Sequence, residues 1–312
     1  MRGTWSGSSV SSVSADAPQS LVQFRALGPS APDVSSIGYG GMHISIADRP
    51  DEPESIRVVH AALDAGITLI DTADVYSLGA HDIGHNERLI ARALREWRGP
   101  RERILVATKG GSERPEGRWT RNGRPEHLKA ACERSLRALG VEEIDLYQLH
   151  AVDPAVPLEE SMGAFARLLE EGKIVRAGLS NVTVDQIERA RRVVPITSVQ
   201  NRLNPFFRES LDEGVVRYCT DERLGFLAYS PTGGGRLNRK LPAHPVVERL
   251  ARAHGASPHA VVLAWVLAQG PTVIAIPSAR KPEHARDSAS ASDLQLTPEE
   301  RREIDEAEFS TA

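Results

Sequence analysis

Short apolar segments alternate with amphipathic segments along most of the chain. Several of the apolar segments run for four or more residues without a polar position, which is typical of parallel strands covered on both faces. The pattern predicts eight strands: Ile37–Gly41, Ile67–Asp71, Ile104–Lys109, Ile144–His150, Ile174–Ser180, Ile196–Gln200, Leu224–Ser230 and Val273–Pro277.

Helical periodicity marks the segments between these strands. In Glu126–Leu139 the apolar positions fall on one face, and Gly140 follows as a helix-stop signal. The other predicted helices include Glu54–Ala65, Asn86–Trp97, Leu158–Glu171, Thr183–Arg192, Asp212–Glu222, Val246–His254 and Pro258–Gln269. Eight strands alternating with helices favour an α/β fold of the (β/α)8 TIM barrel type over an open doubly wound sheet.

Further elements are predicted before and after the eight alternating strands and helices. A short hairpin around Gly28 is predicted before the first barrel strand, and an extra helix, Pro298–Ala307, after the last. Residues 1–21 are rich in serine and lack the apolar run of a signal peptide, so we expect a disordered tail there. Residues 22–312 then form a single barrel domain.

Composition narrows the function classes. A net charge of −4 gives no electrostatic footprint for nucleic acid, and no apolar run is long enough to span a membrane. Cys132 and Cys219 are too few for a disulfide framework, which favours a cytoplasmic location. His81 and His85 are four residues apart, but Gly84 interrupts the face that they would share, so no metal site is predicted.

Polar residues stand where the predicted strands end, which is where barrel enzymes carry their chemistry. Asp71, Lys109, His150 and Gln200 occupy four of these positions. Lys109 is notable because the chain has only five lysines among its 38 basic residues. A lysine ammonium at a buried strand end can be desolvated and can tune the pKa of a neighbour.

The motifs at these ends resemble, in order, those of the aldo/keto reductase family. They read LIDTADVY, VATKGG, IDLYQLH, GLSN, SVQN, LAYSP and IPSARKPEH, and the resemblance extends from Phe24 to Glu308. It implies an NADP-dependent oxidoreductase that reduces an aldehyde or ketone with hydride from NADPH. The tetrad that it implies is Asp71, Tyr76, Lys109 and His150.

The chemistry of this tetrad is self-consistent. Carbonyl reduction needs a proton donor to the oxygen, and Tyr76 is the implied donor. Lys109 would favour the phenolate, Asp71 would keep Lys109 charged and oriented, and His150 would orient the carbonyl. His150 is the alternative proton donor, and the sequence does not separate the two roles.

The resemblance also implies a set of cofactor-binding residues. Ser180, Asn181 and Gln200 would bind the nicotinamide carboxamide, and Tyr229 would stack on the ring. Arg280 and Lys281 precede a predicted helix start, a ready anion site that favours the 2′-phosphate of NADPH. The other implied contacts are Ser230, Thr232 and Gly233 at the pyrophosphate, and Ser278, His284 and Asp287 near the adenosine.

Two questions stay open at the level of sequence. The alternative function is a non-catalytic regulatory or redox-sensing subunit that binds NADPH on the same scaffold. If the protein is an enzyme, the expected partner is a small carbonyl substrate, and the protein is expected to be a monomer or a small homo-oligomer. The expected substrate pocket consists of Met42, Tyr76, Trp119 and the segment Pro205–Phe207.

Overall fold

An eight-stranded parallel sheet forms the centre of the computed structural model, which describes residues 22–312. The sheet closes because Ile37, just before its first strand, pairs in parallel with Ala275 of its last. The strands are β1 (Phe24–Ala26), β2 (Asp33–Ser35), β3 (Tyr39–Gly40), β4 (Leu69–Asp71), β5 (Leu105–Gly110), β6 (Ser112–Glu113), β7 (Thr120–Arg121), β8 (Leu146–Leu149), β9 (Ala177–Ser180), β10 (Ile196–Arg202), β11 (Gly225–Tyr229) and β12 (Val273–Ile276). The predicted (β/α)8 barrel is confirmed.

Helices lie between the barrel strands and after the last of them. Sequence signals fix several ends: the helix after β7 begins at Pro125 and ends before Gly140, whose φ of 70° suits glycine. The helices are α1 (Glu52–Asp64), α2 (His85–Glu96), α3 (Pro125–Leu139), α4 (Leu158–Glu170), α5 (Val184–Arg191), α6 (Glu209–Asp212), α7 (Val215–Asp221), α8 (Gly234–Leu237), α9 (Pro245–His254), α10 (Pro258–Leu267), α11 (Pro282–Ser290) and α12 (Pro298–Glu306).

Aliphatic side chains from β4, β5, β8, β11 and β12 fill the barrel interior. The β1–β2 hairpin, predicted from sequence, contributes Leu27 and Val34 to this cluster. A side chain at Gly225, where β11 begins, would collide with the backbone of Leu27. The hairpin therefore plugs the amino end of the barrel and leaves the carboxyl end open for a site. The other members of the cluster include Leu69, Leu105, Leu146, Leu227 and Ile274.

One local prediction was wrong. Asp212–Glu222 does not form one helix, because Gly214 with φ 74° separates α6 from α7. The segment after β5, for which no element was predicted, forms the small antiparallel hairpin β6–β7. The predicted disordered tail, residues 1–21, lies outside the described residues. Within residues 22–312, no helix is long and apolar enough to cross a membrane.

Candidate active site

A single buried ammonium joins three of the four predicted catalytic side chains. Lys109 of β5 is 1% exposed, and its Nζ donates to Asp71 Oδ1 at 2.5 Å, to the Thr72 carbonyl at 2.9 Å and to Tyr76 Oη at 3.0 Å. These contacts use all three ammonium protons. Burial disfavours the charge, but Asp71 and Tyr76 outweigh it and raise the pKa of Lys109 above its ordinary value. The lysine is therefore a cation at neutral pH.

Tyr76 and His150 face each other across the mouth of the barrel. Their rings meet edge to face, with centroids 5.8 Å apart. Burial raises the pKa of Tyr76, and the Lys109 ammonium opposes that rise. Burial and the Lys109 charge lower the pKa of His150 to about 3, so its imidazole is neutral at physiological pH.

The second carboxylate oxygen of Asp71 is held by two amides. Gln200 Nε2 donates to Asp71 Oδ2 at 2.7 Å, and Gln148 Nε2 donates to the same atom at 3.2 Å. Gln200 was predicted to bind the cofactor, and Gln148 was not among the predicted site residues. Alternation along β8 was the available signal, since Gln148 lies two residues before His150 and so points to the same face.

A cavity of about 940 Å³ opens above these residues at the carboxyl end of the barrel. Its wall includes Asp71, Tyr76 and His150, whereas the buried Lys109 acts from behind them. Most of the predicted cofactor residues also line it: Ser180, Asn181, Gln200, Tyr229, Ser230, Thr232, Ser278, Arg280, Lys281 and His284.

Two predicted cofactor residues do not line this cavity. Gly233 has a φ of 95°, and a side chain there would press on Phe206. The carboxylate of Asp287 accepts a hydrogen bond from Ser257 Oγ at 2.7 Å.

The substrate side of the cavity is partly as expected. Met42 and Trp119 line it, but the segment Pro205–Phe207 does not; Phe206 instead packs against Phe309. Trp119 sits in the connection between β6 and β7, 49% exposed, with its ring centroid 6.3 Å from that of Tyr76. The β6–β7 hairpin therefore places an aromatic side chain in the cavity wall next to Tyr76.

The far end of the cavity is strongly basic. Arg236 and Arg239 line it beside the predicted Arg280 and Lys281, and both were missed, although they follow the Gly233–Gly235 run. Guanidinium and ammonium groups are the donors that bind phosphate. A cleft of this size that is lined both by these cations and by Asp71, Tyr76 and His150 fits a phosphate-bearing dinucleotide.

The fold and site define a barrel enzyme with a nucleotide-sized cleft, and comparison with known proteins gives its family. Residues 36–308 match the sequence model of the Aldo/keto reductase family. The chain is 37% identical over 318 residues to probable aldo-keto reductase 1 of Glycine max, covering 93% of this chain and 90% of that protein. The chain belongs to the aldo/keto reductase family.

Solved structures agree with this assignment. The glycerol dehydrogenase of Gluconobacter oxydans superposes with a TM-score of 0.79 at 31% identity, covering 90% of this chain and 94% of that one. An aldo-keto reductase of Klebsiella pneumoniae in complex with NADPH gives 0.76 at 28% identity, covering 91% and 94%. The expectation of an oxidoreductase from an NADP(H)-using family is confirmed.

Proposed function

We propose that the protein reduces an aldehyde or ketone to the alcohol, with hydride from NADPH and Tyr76 as the proton donor. The observation that carries this proposal is the hydrogen-bonded series Asp71–Lys109–Tyr76 at the wall of a cleft lined with phosphate-binding cations. Bound NADPH would supply the hydride.

Different residues of the cleft are suited to different parts of NADPH. Arg236, Arg239, Arg280 and Lys281 are suited to the phosphates, and Pro282 begins α11, whose first N–H groups favour an anion. Asn181 would present its amide at the nicotinamide end. It is fixed there because it accepts from Tyr229 Oη at 2.8 Å and donates to the His150 carbonyl at 3.0 Å.

Proton delivery follows from the charges around the phenol. When the carbonyl oxygen gains negative charge, Tyr76 gives up its proton, and the phenolate that forms is stabilised by Lys109 at 3.0 Å. Asp71 keeps Lys109 charged and directed. The pKa of His150, lowered to about 3, argues against imidazolium as the donor, so His150 would act as a neutral hydrogen-bond donor that orients the carbonyl.

The test is steady oxidation of NADPH by the full-length protein in the presence of aliphatic and aromatic aldehydes and ketones. Many turnovers per protein with at least one carbonyl are expected. Tight NADPH binding with no more than one turnover per bound cofactor across the whole panel would instead favour a regulatory or redox-sensing subunit.

A further inference from the structure

Gln148 lies behind the Asp71–Lys109 ion pair, where no solvent reaches it. It belongs to β8 and is fully buried; its Cα pairs with Lys109 of β5 on one side and Gly178 of β9 on the other. A Cβ on Gly178 would lie 2.9 Å from Gln148 Cγ, so the glycine leaves room for this long side chain between the strands. The barrel wall at Gly178 therefore has space for glutamine at position 148.

The amide makes a closed set of contacts with the carboxylate. Gln148 Nε2 donates to Asp71 Oδ2 at 3.2 Å, while Gln148 Oε1 accepts from Gln200 Nε2 at 3.3 Å. Within residues 22–312, Lys109 is the one side chain that donates to Asp71 Oδ1. Gly178 of β9 and Gln200 of β10, which face Gln148, do not titrate. In the part of the chain that the structure describes, the charged partners of Gln148 are Asp71, by hydrogen bond, and Lys109, by strand pairing.

The amide of Gln200, which also donates to Asp71, would bind the cofactor under the proposed function. Gln200 lines the cavity and would turn toward the nicotinamide carboxamide when cofactor binds. Gln148 is too deeply buried to do the same and is not part of the cavity wall. It is then the donor that remains on Asp71 Oδ2 throughout the reaction.

We propose that Gln148 is a positioning residue for the reduction. Its amide fixes the rotation of the Asp71 carboxylate, so that Oδ1 stays on Lys109 and Lys109 keeps one proton directed at Tyr76. A neutral donor is required there. A carboxylate at this position would compete with Asp71 for Lys109, and an aliphatic side chain would remove a hydrogen bond from a buried charge.

The inference rests on the proposed function and is tested with two substitutions in the full-length protein. Gln148→Leu is expected to lower kcat by roughly 10- to 100-fold, the effect of one hydrogen bond to a charged group. KM and the NADPH dissociation constant should stay within about twofold, because neither substrate nor cofactor touches this side chain.

Gln148→Glu separates positioning from simple packing, since glutamic acid has nearly the shape of glutamine. When protonated it can donate to Asp71, and when ionised it repels Asp71. The ratio of kcat at pH 5 to kcat at pH 8 should therefore exceed the wild-type ratio by about tenfold or more. The stability of this variant, measured by urea unfolding, should fall relative to wild type between pH 5 and pH 8.

Three results would overturn the inference. The first is a Gln148→Leu variant with wild-type kcat, and the second is a Gln148→Glu variant whose pH profile parallels that of wild type. The third is a Gln148→Leu variant that loses kcat and NADPH affinity in equal proportion. Any one of them is sufficient. If the wild type reduces no carbonyl, the proposed function fails instead. The pH dependence of Gln148→Glu unfolding then decides whether Gln148 acts on Asp71, because it requires no turnover.

Discussion

The ammonium of Lys109 donates to the phenolic oxygen of Tyr76 at 3.0 Å while it holds Asp71 on its other side at 2.5 Å. All three side chains are nearly excluded from solvent. A buried ion pair commonly contributes less to stability than apolar residues of the same size, because desolvation offsets the Coulomb attraction. We therefore attribute this pair to chemistry, and its removal separates activity from folding.

Lys109→Met is expected to abolish measurable NADPH oxidation and to lower the free energy of unfolding by about 3–5 kcal/mol, since Asp71 is left buried without its cation. The double variant Asp71→Asn with Lys109→Met should recover most of that stability and none of the activity. Urea unfolding and steady-state assays on the same samples measure both quantities. A double variant that regains turnover would remove Lys109 from the mechanism.

Strand ends in the sequence pointed to part of this cluster. Asp71, Lys109 and His150 were candidates because each follows an apolar strand, and parallel strands end at one rim of a barrel. Tyr76 and the catalytic roles were implied by the resemblance to the aldo/keto reductases. Gln148 stands inside its strand, where a polar residue gives no signal about which partner it meets. Its partner Asp71 is 77 residues away in the chain, and only the closed barrel brings the two together.

The pKa of His150, lowered to about 3, predicts a specific pH dependence of stability. The unfolded chain takes up a proton at this residue below about pH 6.5, whereas the folded protein does not until about pH 3. Stability is therefore lost as pH falls through this window, by at most ~1.4 kcal/mol per pH unit from this group. His150→Asn should reduce the slope of unfolding free energy between pH 6.5 and pH 4. An unchanged slope would mean that His150 titrates near its ordinary value.

Cofactor selectivity should depend on Arg280 and Lys281. Both line the basic end of the cavity at the start of α11. The double alanine variant is expected to weaken NADPH binding by about 2–4 kcal/mol, as two charge-assisted hydrogen bonds are lost, and to leave NADH binding nearly unchanged. Fluorescence titration with both cofactors measures this. Arg286→Ala, within α11 but outside the cavity wall, is the control, and equal losses for NADH and NADPH would contradict the assignment.

Trp119 should act on substrate binding and not on proton transfer. Its ring meets those of Tyr76 and His150 edge-on, and the Arg114 guanidinium lies 4.2 Å above it. Trp119→Ala is expected to raise KM for aromatic carbonyls by roughly tenfold, the contribution of one aromatic contact, with kcat less affected. Trp119→Phe should retain much of the affinity. A fall in kcat at constant KM would instead assign this residue to the chemical step.

The fold was predicted more completely than the loops. Strand order and closure follow from the alternation of apolar segments and helices, because parallel strands in one barrel leave few topologies. Gly214 was missed as a helix break since it falls within an otherwise helical pattern. The β6–β7 hairpin was missed because its strands, Ser112–Glu113 and Thr120–Arg121, are too short and polar to show alternation.

In the proposed reduction, Tyr76 gives its proton to the carbonyl oxygen while Lys109 stabilises the phenolate that forms. The most direct measurement compares wild type with Tyr76→Phe in single-turnover oxidation of bound NADPH by the best carbonyl substrate. Tyr76→Phe is expected to lower this rate on the order of 10²–10⁴-fold, with the NADPH dissociation constant within about twofold of wild type. A Tyr76→Phe rate within about tenfold of wild type would contradict it.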